Sequence, residues 1–152
     1  YQNRVMIEAI EHAKKNNSKL HLMGVVSNGC VHASIDHLYA LLLLAKEQNF
    51  DNVYIHAILD GRDVSYNSGI NFIKGVERSI SEYGVGEIAS VAGRFYTMDR
   101  NSNWDRTEKA YLAMVEGIGN KCDDAVKALT LDNHDLAEEL EAKIKEVINS
   151  EE

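Results

Sequence analysis

"LHLMGVVSNGCVHASIDHLYALLLLA", residues 20–45, decides the fold. Its first part, "LHLMGVV" (20–26), is a short apolar run fit for a buried strand. Its last part places Ile35, Leu38, Leu41, Leu42 and Ala45 on one helical face, with Ser34 positioned as an N-cap. Between them lies a polar loop, "SNGCVHAS" (27–34), with a Gly, a Cys and a His. A strand that passes through a short polar loop into a helix is half of a βαβ unit, and the same rhythm continues along the chain.

Residues 53–59, "VYIHAIL", read as a second strand. Ser68 can cap a helix that carries Ile70, Ile73, Val76 and Ile80 and stops at Gly84. Residues 87–92, "EIASVA", read as a third strand, and 103–116 as a helix with Trp104, Ala110, Tyr111 and Met114 inward. Ahead of the first strand, residues 4–16 form a helical stripe with Asn3 as its cap. A shorter helix is expected after Asp123. Residues 134–149 form the plainest amphipathic helix, with Leu136, Leu140, Ile144 and Val147 as its stripe. The expected fold is α/β: one domain over residues 1–152, with helices packed against a parallel sheet and a C-terminal amphipathic helix closing it. Three strands are few, and a fourth could lie in a segment read here as loop or helix.

The totals narrow the function classes. Apolar residues make up 45% of the chain and charged residues 26%, as in a soluble globular protein. No apolar stretch reaches the roughly 18–20 residues of a membrane span, and Tyr1 leads into a polar helical pattern rather than a signal peptide. A net charge of −8 disfavours non-specific binding to nucleic acid or to anionic membranes. Cys30 and Cys122 stand far apart without a CxxC pair, which suits a reducing cytoplasm. Proline is absent, whereas the usual frequency of about 5% would give roughly seven. A redesigned chain is one explanation.

In open α/β sheets, ligands gather beyond the carboxyl ends of the strands. After the first strand comes "SNGCVH", after the second "DGRD" (60–63), and after the third "GRFYTMDR" (93–100). Each contains a glycine, and together they supply His32, Arg62, Arg94 and Arg100. Parallel strands would bring all of these to one rim. Guanidinium forks suit the paired oxygens of carboxylates and phosphates. Asp63 would not strengthen an anion site, but it would suit a substrate hydroxyl as hydrogen-bond acceptor or as general acid/base. Each residue also has a plainer reading: Arg paired with a surface carboxylate, Asp63 capping a turn or paired with Arg62, His32 solvated. His56 reads as a core or sheet-face residue, and His12 and His134 as exposed helix positions. No two His are spaced as a zinc helix requires, so no metal site is expected in this chain. Cys30 and His32 admit a thiolate-nucleophile reading, but no partner to orient the histidine is evident.

"LHLMGVVSNGCVHASIDHLYALL", "VYIHAILDGRDV" and "GVGEIASVAGRFYTMDRNSNWDRTEKAY" together resemble the cofactor-independent (2,3-bisphosphoglycerate-independent) phosphoglycerate mutase family. The resemblance is to its substrate-binding, or phosphotransferase, domain. It runs from about residue 4 to about residue 116, and the tail from about residue 130 reads as an added or divergent helix. The resemblance implies a glycolytic isomerase that interconverts 3-phosphoglycerate and 2-phosphoglycerate. It also implies a second, phosphatase-like domain that holds two manganese ions and a serine nucleophile. The family's substrate contacts on the domain resembled here fall on His32, Arg62, Asp63, Arg94 and Arg100, with Asp63 the candidate acid/base. The family's first loop usually reads S-D-G-G-V-H-S-H; here Asn28, Cys30, Ala33 and Ser34 replace an acid, a glycine, a serine and a histidine. If the replaced glycine needs a positive φ, Cys30 is strained or the loop has moved. "DGRDV" usually continues into prolines; here it continues "SYNS".

The resulting expectation is an excised or minimised substrate domain. It would bind the phosphoglycerate anion but remain catalytically incomplete on its own, since neither the nucleophile nor the metal ligands are encoded here. Two alternatives remain: one half of a split mutase completed in trans by the phosphatase-like domain, and an engineered or reconstructed α/β scaffold with no activity.

Overall fold

The computed structural model describes residues 3–130. The chain divides into two compact units, residues 1–120 and 121–152. The first unit contains helix α1 (Arg4–Lys15), strand β1 (Leu20–Val26), helix α2 (Ile35–Glu47), strand β2 (Val53–Leu59), helix α3 (Gly69–Tyr83), strand β3 (Glu87–Gly93), the short helix α4 (Arg94–Thr97) and helix α5 (Trp104–Val115). Within the second unit, residues 125–130 are helical, and Asp124 caps them by accepting from the Lys127 N–H at 2.8 Å. The amphipathic pattern of 134–149, and His134 with it, lies outside the described residues.

The strands form one parallel sheet in the order β1-β2-β3, and no fourth strand occurs among the described residues. A monotonic strand order with crossovers of one hand puts the connecting helices on one face. Accordingly, α2 and α3 pack against each other and against β1. A Cβ placed on Gly86 would meet Leu42 of α2 at 3.0 Å, Ile55 of β2 at 3.6 Å and Ile80 of α3 at 3.7 Å. Leu42, Val53, Ile55, Ile73 and Val76 are fully buried there and form the centre of the core. Truncating a side chain of this kind costs about 2–5 kcal/mol.

The helix ends follow local chemistry. The Asn3 side chain accepts from the Val5 and Met6 N–H groups, and Ser34 accepts from Asp36. α1 and α2 stop where Asn17 (φ 47°) and Asn49 (φ 52°) turn left-handed, which asparagine tolerates better than most residues. The Ser18 and Phe50 N–H groups then return to Ala13 and Ala45, each at 2.9 Å. Gly84 does the same for α3 at φ 69°. Ser68 departs from expectation: its backbone is already helical, and its hydroxyl donates to the Ser65 carbonyl at 2.5 Å instead of capping α3. Trp104 and Tyr111 also depart: both point outward, 73% and 55% exposed, while Ala110 carries the buried contact of α5. Successive helical residues differ by roughly 100°, so Ala110 and Tyr111 cannot both lie at the centre of one stripe.

The other face of the sheet carries a polar chain. His21 on β1 and His56 on β2 approach through Nδ1 and Nε2 at 2.9 Å, and His56 Nδ1 meets the Ser90 hydroxyl of β3 at 2.8 Å. Burial, reinforced by His21, pushes the His56 pKa below its ordinary 6.5. The unfolded chain therefore takes up a proton near pH 6.5 that the folded chain resists. Stability should be complete above that pH and fall as the solution is acidified below it. Urea midpoints measured between about pH 7.5 and 5 should show this decline, and His56→Gln should flatten it.

Candidate ligand site at the carboxyl ends of the strands

The three strand-end loops meet. Ser27 follows β1, Asp60 follows β2 and Arg94 follows β3, and side-chain hydrogen bonds join all three. The Asp60 carboxylate, only 3% exposed, is the centre. Its Oδ2 accepts from the Ser27 hydroxyl at 2.9 Å. Its Oδ1 accepts from the backbone N–H groups of Gly61, Arg62 and Asp63 at 2.9, 3.1 and 3.1 Å, and from Arg94 Nη1 at 2.9 Å. Burial on its own would raise the Asp60 pKa. The N–H of Asp63, the Arg94 guanidinium, the N–H of Arg62 and the Ser27 hydroxyl outweigh it and hold the group at about 2.

Arg94 is shared. The same Nη1 reaches Asp63 Oδ2 at 2.5 Å, and Nη2 lies 3.2 Å from His32 Nε2. The Asp63 and Asp60 carboxylates raise the Arg94 pKa above its ordinary value. A guanidinium has no acceptor, so His32 Nε2 must be the unprotonated ring nitrogen in this arrangement. His32 Nε2 also sits 3.8 Å from Asp63 Oδ2. Of five guanidinium N–H groups, three are committed to Asp60, Asp63 and His32. Nε and one Nη2 hydrogen remain for a ligand. Asp63 Oδ1 has no partner among the described residues.

His32, Asp63 and Arg94 thus form one cluster, as their places at the strand ends imply. Asp63 pairs with Arg94 rather than with Arg62, so one guanidinium faces two carboxylates and the cluster is less cationic than a count of its arginines suggests. Arg62 and Arg100 are exposed, and their guanidinium groups make no hydrogen bond or ion pair among the described residues. They are the available cations. Each is held by its backbone: Arg62 hangs from Asp60, and Arg100 lies in a turn organised by Asp99. The Asp99 carboxylate accepts from the Asn101 and Asn103 N–H groups at 3.0 and 2.9 Å and from the Asn103 amide at 2.8 Å. The Asn103 side chain, then the backbone N–H groups, hold its pKa down. Arg106 has a structural position, with its guanidinium 3.9 Å from the Phe95 ring and 3.5 Å from Asp99.

The first loop comes close to the second. A Cβ on Gly29 would fall 3.2 Å from Asp63 Cβ and 3.3 Å from Val64, so a larger residue there would press on Asp63 and Val64 by a few tenths of an ångström. One residue on, Cys30 has φ 56°. The strained alternative therefore holds at this position. Left-handed backbone costs a non-glycine residue about 1–2 kcal/mol, and the extra unfolded-state freedom of glycine offsets about 0.5–1 of that. Cys30→Gly should therefore stabilise the protein by about 0.5–1 kcal/mol, read as a higher denaturant midpoint. The Cys30 thiol meets the Asn28 carbonyl at 3.5 Å, while His32 faces Arg94; no Cys30–His32 hydrogen bond forms. Cys30 and Cys122 are both free and exposed.

Asp60 and Ser27 were not among the residues expected to matter. A signal for Asp60 was present, since Asp before Gly at a turn commonly accepts from the next backbone N–H groups. Ser27 offered none.

Residues 1–150 match the family described as BPG-independent PGAM N-terminus. The chain belongs to that family. The N-terminal region of these phosphoglycerate mutases is what its relatives share with it. The 2,3-bisphosphoglycerate-independent phosphoglycerate mutase of Clostridium perfringens (strain SM101) is 50% identical over 135 residues, 89% of this chain and 26% of that protein. The enzyme of the same name from Lachnoclostridium phytofermentans is 52% identical over 129 residues, 85% of this chain and 25% of that protein. Leishmania mexicana phosphoglycerate mutase, solved at low cobalt concentration, superposes with a TM-score of 0.71 at 26% identity, covering 83% of this chain and 28% of that one. The chain thus spans about a quarter of the length of these mutases.

Among the described residues, no three His, Cys, Asp or Glu side chains are grouped to hold a metal ion. The family resemblance places the manganese pair on the phosphatase-like domain, and the described residues offer no cluster that would hold it. No described helix is long and apolar enough to cross a membrane.

Proposed function

We propose that this chain is the substrate-binding, phosphotransferase part of a glycolytic, cytoplasmic phosphoglycerate mutase, and that the strand-end cluster grips 3-phosphoglycerate or 2-phosphoglycerate. The supporting observation is the meeting of Arg94, Asp63 and His32 from three separate strand ends, with Arg62 and Arg100 carried on the adjoining loops. Arg62, Arg100 and the free donors of Arg94 match the carboxylate and phosphate oxygens of such a ligand. Asp63 Oδ1 accepts the ligand hydroxyl. When that hydroxyl attacks a phosphoryl group, Asp63 takes its proton, and it returns a proton in the reverse direction. The nucleophile and the neutralisation of phosphoryl charge come from the phosphatase-like domain, in cis or in trans.

Calorimetry at low salt tests this with three ligands: 3-phosphoglycerate, inorganic phosphate, and 3-phosphooxypropionate, which keeps both anionic groups but lacks the hydroxyl. Saturable binding should be tightest for 3-phosphoglycerate, weaker without the hydroxyl and weakest for phosphate. Equal, weak affinities for all three would leave a scaffold that has kept the fold without the site.

A further inference from the structure

Asp60 is set apart from the ligand grip proposed above by its burial: its side chain is only 3% exposed, and protein donors engage both of its carboxylate oxygens. The donors are Ser27 behind β1, the Gly61–Asp63 backbone behind β2 and Arg94 behind β3. Ser27 is itself 1% exposed. Its hydroxyl accepts from the Gly29 N–H at 3.3 Å, and its carbonyl accepts from the Ile35 N–H at 2.9 Å. The pair therefore ties the first loop and the start of α2 to the DGRD turn and to the arginine that follows β3.

We infer, on the ligand reading above, that Asp60 and Ser27 are the positioning residues of this site: the buried carboxylate fixes the Arg94 guanidinium and the Arg62–Asp63 backbone in the one arrangement that distinguishes a phosphoglycerate from a bare anion. Neither residue touches the ligand. Arg94 has several rotatable bonds, and with asparagine at position 60 it would keep the Asp63 contact and the His32 ring but face only a neutral amide oxygen in place of the charged acceptor. Its free Nε and Nη2 hydrogens would then no longer be presented at a fixed angle. A loosened Arg94 still attracts an anion. It no longer holds a carboxylate and a phosphate at a set distance from Asp63.

This predicts a split between ligands that a simple change in charge would not produce. The full chain and its Asp60→Asn variant are compared by NMR, first without ligand and then with 3-phosphoglycerate and with inorganic phosphate. In the ligand-free protein, the Arg94 Nε–H signal should be sharp and protected, and in the variant it should be averaged while the sheet amides stay dispersed. With ligand, the variant should bind 3-phosphoglycerate at least about tenfold more weakly and phosphate nearly as before. An unchanged Arg94 signal in the variant would overturn the inference. So would equal tightening of both ligands, which would show that only the negative charge had mattered. If the unmodified chain fails to prefer 3-phosphoglycerate, the ligand reading falls, and the Arg94 signal still decides whether Asp60 positions it. Should Asp60→Asn fail to fold, Ser27→Ala removes one donor to the same carboxylate and should loosen Arg94 in the same direction to a smaller extent; an Arg94 signal as sharp as in the unmodified chain would overturn the inference there too.

Discussion

Asp60→Asn should lower the unfolding free energy by about 2 kcal/mol at neutral pH, and the difference should disappear in strong acid. The carboxyl is held at about 2, against an ordinary 3.8. That displacement of nearly two pH units, at about 1.4 kcal/mol each, sets the magnitude. The side chain is buried, so water does not screen the interaction away. The sign follows from the depressed pKa. The contribution is complete above pH 3.8 and is lost as the pH falls toward about 2, where the folded protein also takes up the proton. Denaturant unfolding at about pH 7, 4 and 2.5 should show the parent and variant curves converging. A constant difference at all three values would mean that the carboxylate's charge contributes nothing and only its shape matters.

Arg62→Ala should weaken 3-phosphoglycerate binding by about 10- to 100-fold while changing stability by less than about 0.5 kcal/mol. Arg62 is exposed and its guanidinium makes no hydrogen bond or ion pair among the described residues, so truncation leaves no buried group unpaired. The backbone N–H that Asp60 holds is kept by alanine. Arg94→Ala would be less informative, because it leaves Asp60 and Asp63 facing each other without the cation between them. An Arg62→Ala protein that binds as tightly as the parent would remove Arg62 from the site.

The elements of the first unit were legible because each depends on short-range patterns. β1 and β2 are apolar runs bounded by polar loops, and the structure starts and ends them at the positions the runs suggest. β3 extends only one residue further, through Gly93. Asn3, Ser34 and Gly84 act within a few residues of themselves, and a window of that size contains the whole interaction. Strand order was not legible, because pairing β1 with β2 and β2 with β3 depends on contacts between distant segments.

The site shows the same division. Parallel strands bring His32, Asp63 and Arg94 to one end, and the rhythm of the chain implies as much. Which side chains pair there is a long-range matter. Arg94 lies 34 residues from Asp60 and 31 from Asp63, and no local spacing records that it binds both. Trp104 shows the opposite error: large aromatic side chains suggest burial, yet the small Ala110 faces inward and the tryptophan faces out. Cys30 was legible as a conditional. Only its φ of 56° decides between strain and a displaced loop.

The most direct measurement is an amide-shift map of the isotope-labelled chain titrated with 3-phosphoglycerate at low salt. Binding at the strand ends predicts saturable shifts confined to residues 28–34, 60–64 and 93–100, moving together with one affinity. Shifts scattered over the surface, or identical to those caused by inorganic phosphate, would contradict a single ligand site built from the three loops.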